Sequence, residues 1–329
     1  MKTAALVSIV VVLFLAGLAL SIGTGTRPID AVTVLTALFW PDAADESHAV
    51  VRDVRLPRAV ASAIVGAALA VAGAVLQGLT RNPIASPSVL GISSGSSLAM
   101  ILAWSAGLSL SAGGILAVAV AGAAGATLLV FGLASMSPHG GPVRLALAGA
   151  GVTALLGSVA HGVIIAQGLA HDALSWFGRG VQNVGWSDVA VLAGAALVGL
   201  AIAVVVAPGL TVLALGDDAA RGLGQRRGAV VVAGGSAALL LTGASVSIAG
   251  TIPFVGLMVP HLARAWVGVD YRRVVPLCAV LGAALLLYAD LLARFLAVSG
   301  GSPIPVGLVT TVLGTPFLLV IVRRMRLVD

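Results

Sequence analysis

Long apolar runs without charged residues alternate with short polar breaks along the whole chain, and this pattern leaves few folds open. The first run covers residues 4–22, and runs of similar length recur toward the C-terminus. A helix needs about 20 apolar residues to cross a bilayer. Only 9% of the residues are charged, against roughly 25% in a soluble domain. We therefore expect an all-α polytopic membrane protein, and because the runs do not alternate, a transmembrane barrel is excluded.

The runs predict about ten transmembrane helices in one membrane domain that covers residues 1–329. The expected spans are residues 4–22, 59–79, 89–106, 113–134, 143–167, 189–207, 228–249, 254–267, 274–296 and 306–322. A cleaved signal peptide is the alternative for the first run, but its length favours a retained helix. Within the polar stretch 23–57, Val32, Leu35 and Phe39 share one helical face, which predicts a short helix on the outer membrane surface.

Basic residues orient the predicted bundle. With both termini inside, Lys and Arg divide into twelve inside and six outside, so the positive-inside rule favours cytoplasmic termini. The same rule explains the net charge of +6 without nucleic acid. Lysine occurs only at Lys2, so no Gly-Lys-Ser/Thr loop exists to hold ATP. If ATP drives this protein, the ATPase is another chain.

A polar segment, residues 213–227, lies between the sixth and seventh predicted spans and is cytoplasmic in this topology. Its charged residues, among them Asp217, Asp218 and Arg221, would each cost about 2.5–3.5 kcal/mol at the centre of a membrane helix. A short helix over 217–222 that ends at a glycine suits a protrusion gripped by an external motor. An ordinary loop is the alternative.

Three arginines, Arg55, Arg58 and Arg294, fall at the outer mouth, where the positive-inside rule disfavours them. One interpretation is a ring that pairs with carboxylates on a soluble docking protein. The alternative is pairing with Asp53 and Asp290, or contact with lipid phosphates. Asp290 is also the one candidate for a proton- or ion-coupled path, so a secondary transporter stays open as a second class. The histidines show no metal-ligand spacing, and no catalytic constellation favours an enzyme.

Seven segments in order resemble one known family. They are 55–58 (RLPR), 66–77 (GAALAVAGAVLQ), 81–87 (RNPIASP), 89–95 (VLGISSG), 215–216 with 222–224, 254–261 (FVGLMVPH) and 290–294. Together they closely resemble the FecCD-type permeases, the membrane subunits of bacterial ABC importers for ferric siderophores, haem and vitamin B12. The resemblance extends over nearly the whole chain.

This resemblance implies a type II ABC importer permease in the bacterial inner membrane. Such a subunit forms a homodimer or a heterodimer with a sister subunit, and cargo crosses at the dimer axis. Two cytoplasmic ATPase subunits hold the ATP and Mg, so this chain itself carries no cofactor, metal or catalytic residue. A substrate-binding protein docks on the outer face. The Ala-Ser-Pro form of residues 85–87 is more similar to siderophore members than to haem or vitamin B12 members, which remain the alternatives. Thr251 departs from the proline found in many siderophore permeases.

The resemblance also assigns roles to individual residues. ATPase coupling falls on Leu213, Leu215, Gly216, Asp217, Asp218, Arg221, Gly222, Leu223 and Gly224, within the coupling segment 208–227. Docking of the binding protein falls on Arg55, Arg58 and Arg294. The cytoplasmic gate falls on Asn82, Pro83 and Ile84.

Overall fold

A computed structural model describes residues 2–25, 29–42, 44–136, 142–169, 180–300 and 304–325, and within these ranges the chain is helical and contains no strand. The helices are α1 (Lys2–Gly23), α2 (Ala31–Phe39), α3 (Glu46–Ala49), a π-helical segment (Val50–Arg55), α4 (Leu56–Thr80), α5 (Ile92–Ser105), α6 (Ala112–Ser135), α7 (Pro142–Ala166), α8 (Trp186–Ala214), α9 (Asp217–Gly222), α10 (Arg227–Ala249), α11 (Val255–Val267), α12 (Tyr271–Gly300) and α13 (Val306–Met325). The predicted all-α fold is confirmed.

Ten of these helices, α1, α4–α8 and α10–α13, correspond to the ten predicted spans. In the described ranges, 6 helices are long and apolar enough to cross a membrane, and three shorter ones are also apolar. The main difference lies in α8, which was expected to end at 207 but continues through Pro208 to Ala214. Thr211 donates its hydroxyl to the Ala207 carbonyl, 3.1 Å away, and this bond spans the proline turn.

Helix α4 is the central element of the bundle, because most of its residues are buried and it packs on α12, α10, α8 and α11. A Cβ atom added at Gly66 would lie 2.1 Å from the Gly282 carbonyl oxygen of α12. One added at Gly73 would lie 1.8 Å from the Gly256 carbonyl oxygen of α11. Such backbone-to-backbone approach is how membrane helices associate without a hydrophobic driving force between them.

Helix α1 packs on α12 in a parallel orientation. Leu13 accepts a hydrogen bond from the Tyr288 hydroxyl at 3.0 Å, and further along α1 the Ser21 carbonyl accepts one from Arg294 at 2.9 Å. At the start of α12, the Tyr271 amide donates to the Thr211 hydroxyl of α8 at 3.0 Å. Helix α12 therefore bonds to α8 at its start and to α1 in its later part. Between Tyr271 and Asp290 the helix rises about 28 Å at 1.5 Å per residue, close to the thickness of a bilayer's hydrocarbon core.

A short hairpin of two helices, α2 and α3, precedes α4. It lies at the end of the bundle where α1 ends. Asp30 caps α2 by accepting bonds from the Thr33 hydroxyl and amide, which lower the pKa of the Asp30 carboxyl. His48 is buried, and its Nδ1 accepts the Asp42 amide at 2.9 Å while its Nε2 lies 3.2 Å from the Thr36 hydroxyl. Helix α2 therefore lies where the sequence predicted a short surface helix, and the apolar face of α2 is exposed.

The glycine contacts of α4 generate a stability prediction. We expect Gly73→Ala to lower the melting temperature of the purified protein, because the new methyl group overlaps the Gly256 backbone rather than a movable side chain. Overpacking of this kind costs about 1–3 kcal/mol. Gly125→Ala in α6 is the matched control, since its Cβ would have no neighbour within 4 Å. Equal melting temperatures for the two variants would contradict the close packing of α4.

Candidate functional sites at the two ends of the bundle

The first site is an ion triad in which one carboxylate binds two arginines. Arg58 of α4 donates to Asp290 through Nη2 at 2.7 Å and through Nε at 3.0 Å. Arg294, one helical turn after Asp290 in α12, lies 2.9 Å from Asp290 Oδ2, the oxygen that also accepts Arg58 Nε. Asp290 is 1% exposed. The triad therefore joins the start of α4 to α12 through a buried, bidentate pair, the strongest form of such an interaction.

The same arginines close the end of α1. Arg294 donates to the Ser21 and Thr24 carbonyls at 2.9 and 3.1 Å. Arg55 donates to the Ile22 and Gly23 carbonyls at 3.1 and 2.7 Å, and is 5% exposed. The last carbonyls of a helix have no partner within the helix, and cations stabilise that end. We call Arg55, Arg58, Asp290 and Arg294 the arginine cluster.

The arginine cluster brings together the three arginines predicted for docking, but it turns them inward. The side chains of Arg58 and Arg294 are 15% and 16% exposed. This arrangement fits the structural alternative, pairing with Asp290. Asp53, the other partner considered, is exposed and takes part in no ion pair with the described residues. Docking remains a prediction for these residues. With three guanidinium groups and one carboxylate, the arginine cluster carries a net positive charge.

The second site is the polar segment 213–227, at the opposite end of the bundle. Thr211, just before it, accepts the Tyr271 amide and lies 3.2 Å from the Asp270 carboxylate. The predicted short helix is α9 (Asp217–Gly222). Glycines with positive φ flank it, Gly216 at 111° and Gly224 at 69°, a backbone conformation that other residues rarely adopt.

The polar segment buries two apolar side chains against the bundle and exposes two others. Leu213 and Ala220 are 3% and 2% exposed, whereas Leu215 and Leu223 are 66% and 67% exposed. Within α9, Arg221 pairs with Asp218 at 3.0 Å, and both side chains are exposed to solvent. Exposed ion pairs contribute little to stability. The segment is therefore held by its ends and offers two leucines among charged side chains. Gly222 is also exposed, and the side chain of Asp217 lies outside the described residues.

A third predicted site, the gate turn, follows α4 at this same end. Arg81 ends α4 in the left-handed region at φ 51°. Asn82 then accepts the Ile84 amide through its side chain at 3.0 Å and the Ala85 amide through its carbonyl at 3.1 Å. Pro83 is exposed, and Asn82 and Ile84 are half-buried. The turn is therefore defined by its own hydrogen bonds, and its role as a gate stays a prediction.

Sequence reasoning missed the partners of the arginine cluster on α1. The carbonyls of Ser21, Ile22 and Gly23 carry no signal in a sequence, because every residue has one. Two of the histidines have local partners. His161 Nδ1 lies 2.8 Å from the Gly157 carbonyl oxygen, and the centroid of the His261 ring lies 6.3 Å from that of the Phe317 ring. Among the residues that the structure describes, no group of three His, Cys, Asp or Glu could hold a metal ion.

Comparisons with known proteins agree with this architecture. The profile of the FecCD transport family matches residues 11–324. The iron(3+)-hydroxamate import system permease protein FhuB of Bacillus subtilis (strain 168) is 44% identical over 314 residues, which cover 94% of this chain and 80% of that protein. The Fe(3+) dicitrate transport system permease protein FecC of Escherichia coli (strain K12) is 36% identical, with 90% of each chain covered.

A cobalamin relative and a solved structure complete the comparison. The cobalamin import system permease protein BtuC of Halobacterium salinarum (strain ATCC 700922 / JCM 11081 / NRC-1) is 34% identical and covers 93% of this chain and 82% of its own. A metal-chelate type ABC transporter solved in an inward-facing conformation superposes with a TM-score of 0.81 at 26% identity, covering 98% of this chain and 99% of the other. The chain belongs to the FecCD transport family, and it is a multi-pass membrane transport protein.

The ion triad generates a second prediction. We expect Asp290→Asn to destabilise the protein strongly, because it leaves the Arg58 and Arg294 guanidinium groups without their carboxylate. Removing one member of a buried ion pair costs about 3–5 kcal/mol. Asp53→Asn, at an exposed aspartate near the same end, is the control and should leave the melting temperature unchanged. A stable Asp290→Asn variant would show that the triad does not hold α4 to α12.

Proposed function

We propose that this chain is the membrane-spanning permease subunit of an ATP-driven ABC importer for ferric siderophores. The observation that carries the proposal is the separation of two polar sites, the arginine cluster and the segment 213–227, by about 28 Å of helix in a chain that matches the FecCD family over residues 11–324. The relative that imports iron(3+)-hydroxamate supports the cargo. Haem and vitamin B12 are the alternative cargoes, and the cobalamin relative keeps the second open.

The machine that we propose contains several chains. Two copies of this chain, or this chain and a sister subunit, surround the path for the cargo. Two cytoplasmic ATPase subunits supply the energy and hold the ATP and Mg, so this chain needs no cofactor. The absence of any lysine beyond Lys2 supports this division, because a phosphate-binding loop requires one. In this arrangement both termini lie in the cytoplasm and the arginine cluster faces outward from the inner membrane.

Contact with the ATPase falls on the segment 213–227 in this proposal. The exposed fractions of Leu215 and Leu223 are about the same. Apolar side chains that are exposed to water together are typical of a surface that another protein covers. The segment follows α8 directly and is bonded through Thr211 to the start of α12. Movement of the ATPase would therefore reach two long helices at once. The gate turn at Asn82, Pro83 and Ile84 lies after α4 at the same end, where it would open and close the cytoplasmic exit.

The arginine cluster is the proposed docking site for the substrate-binding protein. Its positive charge favours an acidic partner, although the same side chains also hold α1, α4 and α12 together. We expect Arg58→Gln to reduce capture of the binding protein on immobilised permease, measured on protein whose melting temperature is recorded in parallel. Arg52→Gln, at an exposed arginine nearby, is the control. Unchanged capture by a folded Arg58→Gln variant would contradict the docking role.

Cargo uptake tests the function itself. Cells that lack this gene should lose uptake of a labelled ferric siderophore under iron limitation and regain it when the gene is restored. Labelled haem and cobalamin serve as parallel substrates. Loss of one of these instead would keep the transport class and correct the cargo. Normal uptake of a siderophore after deletion of the ATPase gene would contradict an ATP-driven importer and favour a proton-coupled carrier.

The coupling role generates a separate prediction. We expect Leu215→Ser with Leu223→Ser to abolish co-purification of the ATPase and to stop uptake, because the variant removes the apolar contacts that the segment presents. The fold should persist, since both side chains are exposed. Met136→Ser, at an apolar residue that is 79% exposed at the end of α6, is the control. If the double variant still binds its ATPase and transports, the segment is an ordinary loop.

A further inference from the structure

A cleft between α1 and α12 lies outside every site described above. It encloses 420 Å³, within the range of roughly 300–1,000 Å³ that is typical of small-molecule sites. Its lining is apolar except for two adjacent arginines: Val10, Val11, Val267, Pro276, Leu277 and Val280, with Arg272 and Arg273. An apolar channel with positive charge at one end has the two-part character of a phospholipid.

The two arginines lack a counter-ion within the described chain. Arg272 and Arg273 are exposed, and neither side chain makes a hydrogen bond or ion pair with any residue that the structure describes. The neighbouring carboxylate, Asp270, accepts the Thr211 hydroxyl and the Arg272 backbone amide rather than a guanidinium group. Both arginines also lie in the first turn of α12, the positive end of its dipole, where an anion is stabilising and a cation is not. The site therefore attracts an anion, and none of the residues that the structure describes supplies one.

The cleft opens to the outside of the bundle. Helix α1 packs chiefly on α12 and more lightly on α4, so it lies at the edge. Ile9 and Val12, which flank the cleft residues on α1, are 58% and 63% exposed and form a surface suited to lipid tails. Because Tyr271 contacts Thr211, the arginines lie at the same end as the segment 213–227. In the orientation proposed above, this end faces the cytoplasm.

We propose that the cleft binds one anionic glycerophospholipid of the cytoplasmic leaflet. Arg272 and Arg273 hold the headgroup phosphate, whose geometry the planar guanidinium matches with paired hydrogen bonds. An acyl chain lies along Val10, Val11 and Val280. Basic pockets between transmembrane helices on the cytoplasmic side are a known way to hold anionic headgroups. The lipid fills the gap between α1 and α12 and offsets the charge at the start of α12. This proposal does not depend on which cargo is imported, and only its choice of leaflet rests on the proposed orientation.

Native mass spectrometry of the full chain in a neutral detergent tests the headgroup. With added phosphatidylglycerol, the wild-type protein should retain one lipid, in preference to phosphatidylcholine. Arg272→Gln with Arg273→Gln should weaken retention roughly thirtyfold, since each arginine near a membrane surface contributes about 1 kcal/mol and 1.4 kcal/mol is a factor of ten. Arg226→Gln with Arg323→Gln removes the same charge elsewhere and should retain the lipid. Equal retention by both double variants would overturn the proposal.

A second pair of variants tests the acyl chain and separates a lipid from a free anion. Val11, 38% exposed, lines the cleft, whereas Val12, 63% exposed, is not one of its lining residues. Val11→Trp should displace the lipid and Val12→Trp should not, on proteins that elute as the wild type does. Unchanged retention in Val11→Trp, or full displacement by inorganic phosphate, would show a headgroup-only site and overturn the proposal. Cross-linking from Val11→Cys identifies what occupies the cleft. A cross-link to a second copy of the chain or to another protein, instead of to a photoactivatable lipid, would also overturn the proposal.

Discussion

The close approach of α4 to α12 and α11 is the constraint on which the rest of the structure depends. Gly66 lies against Gly282 and Gly73 against Gly256, at distances that exclude even a methyl group. In a membrane, where apolar surface gains nothing from leaving lipid, such contacts hold helices together through packing alone. Each of these glycines faces the backbone of the neighbouring helix rather than a movable side chain. The position of α4 therefore sets the position of everything attached to its two ends.

Those two ends carry different chemistry. At its start, α4 places Arg58 beside Asp290, and the buried pair then recruits Arg294 to the carbonyls that end α1. At its other end, α4 leads into the gate turn, while α8 and α12 meet through Thr211 just before the segment 213–227. One bundle thus connects a positive cluster at one end to an exposed polar segment about 28 Å away at the other. In the proposed importer, this connection would link docking on one side to a motor on the other.

The sequence predicted most of the fold, since apolar runs define spans by length. It also located α9, because charges between two spans must leave the membrane and Gly222 ends a short helix. It misplaced the end of α8, which continues through Pro208 to Ala214 instead of ending at 207. It left the orientation of Arg55 and Arg294 open, because their partners are carbonyls of α1 that come within reach through the packing of α1 on α12. The lipid cleft is also a product of that packing.

Labelling of single cysteines tests most directly whether the two sites lie on opposite sides of the membrane. Cys278, the one native cysteine, is buried and gives no background in the folded protein. Trp40→Cys just after α2 and Leu223→Cys just after α9 both replace exposed side chains. A membrane-impermeant thiol reagent should label Trp40→Cys in spheroplasts and Leu223→Cys only in inside-out vesicles. Labelling of both positions from the same side would contradict the account, because docking and ATPase contact would then share one face.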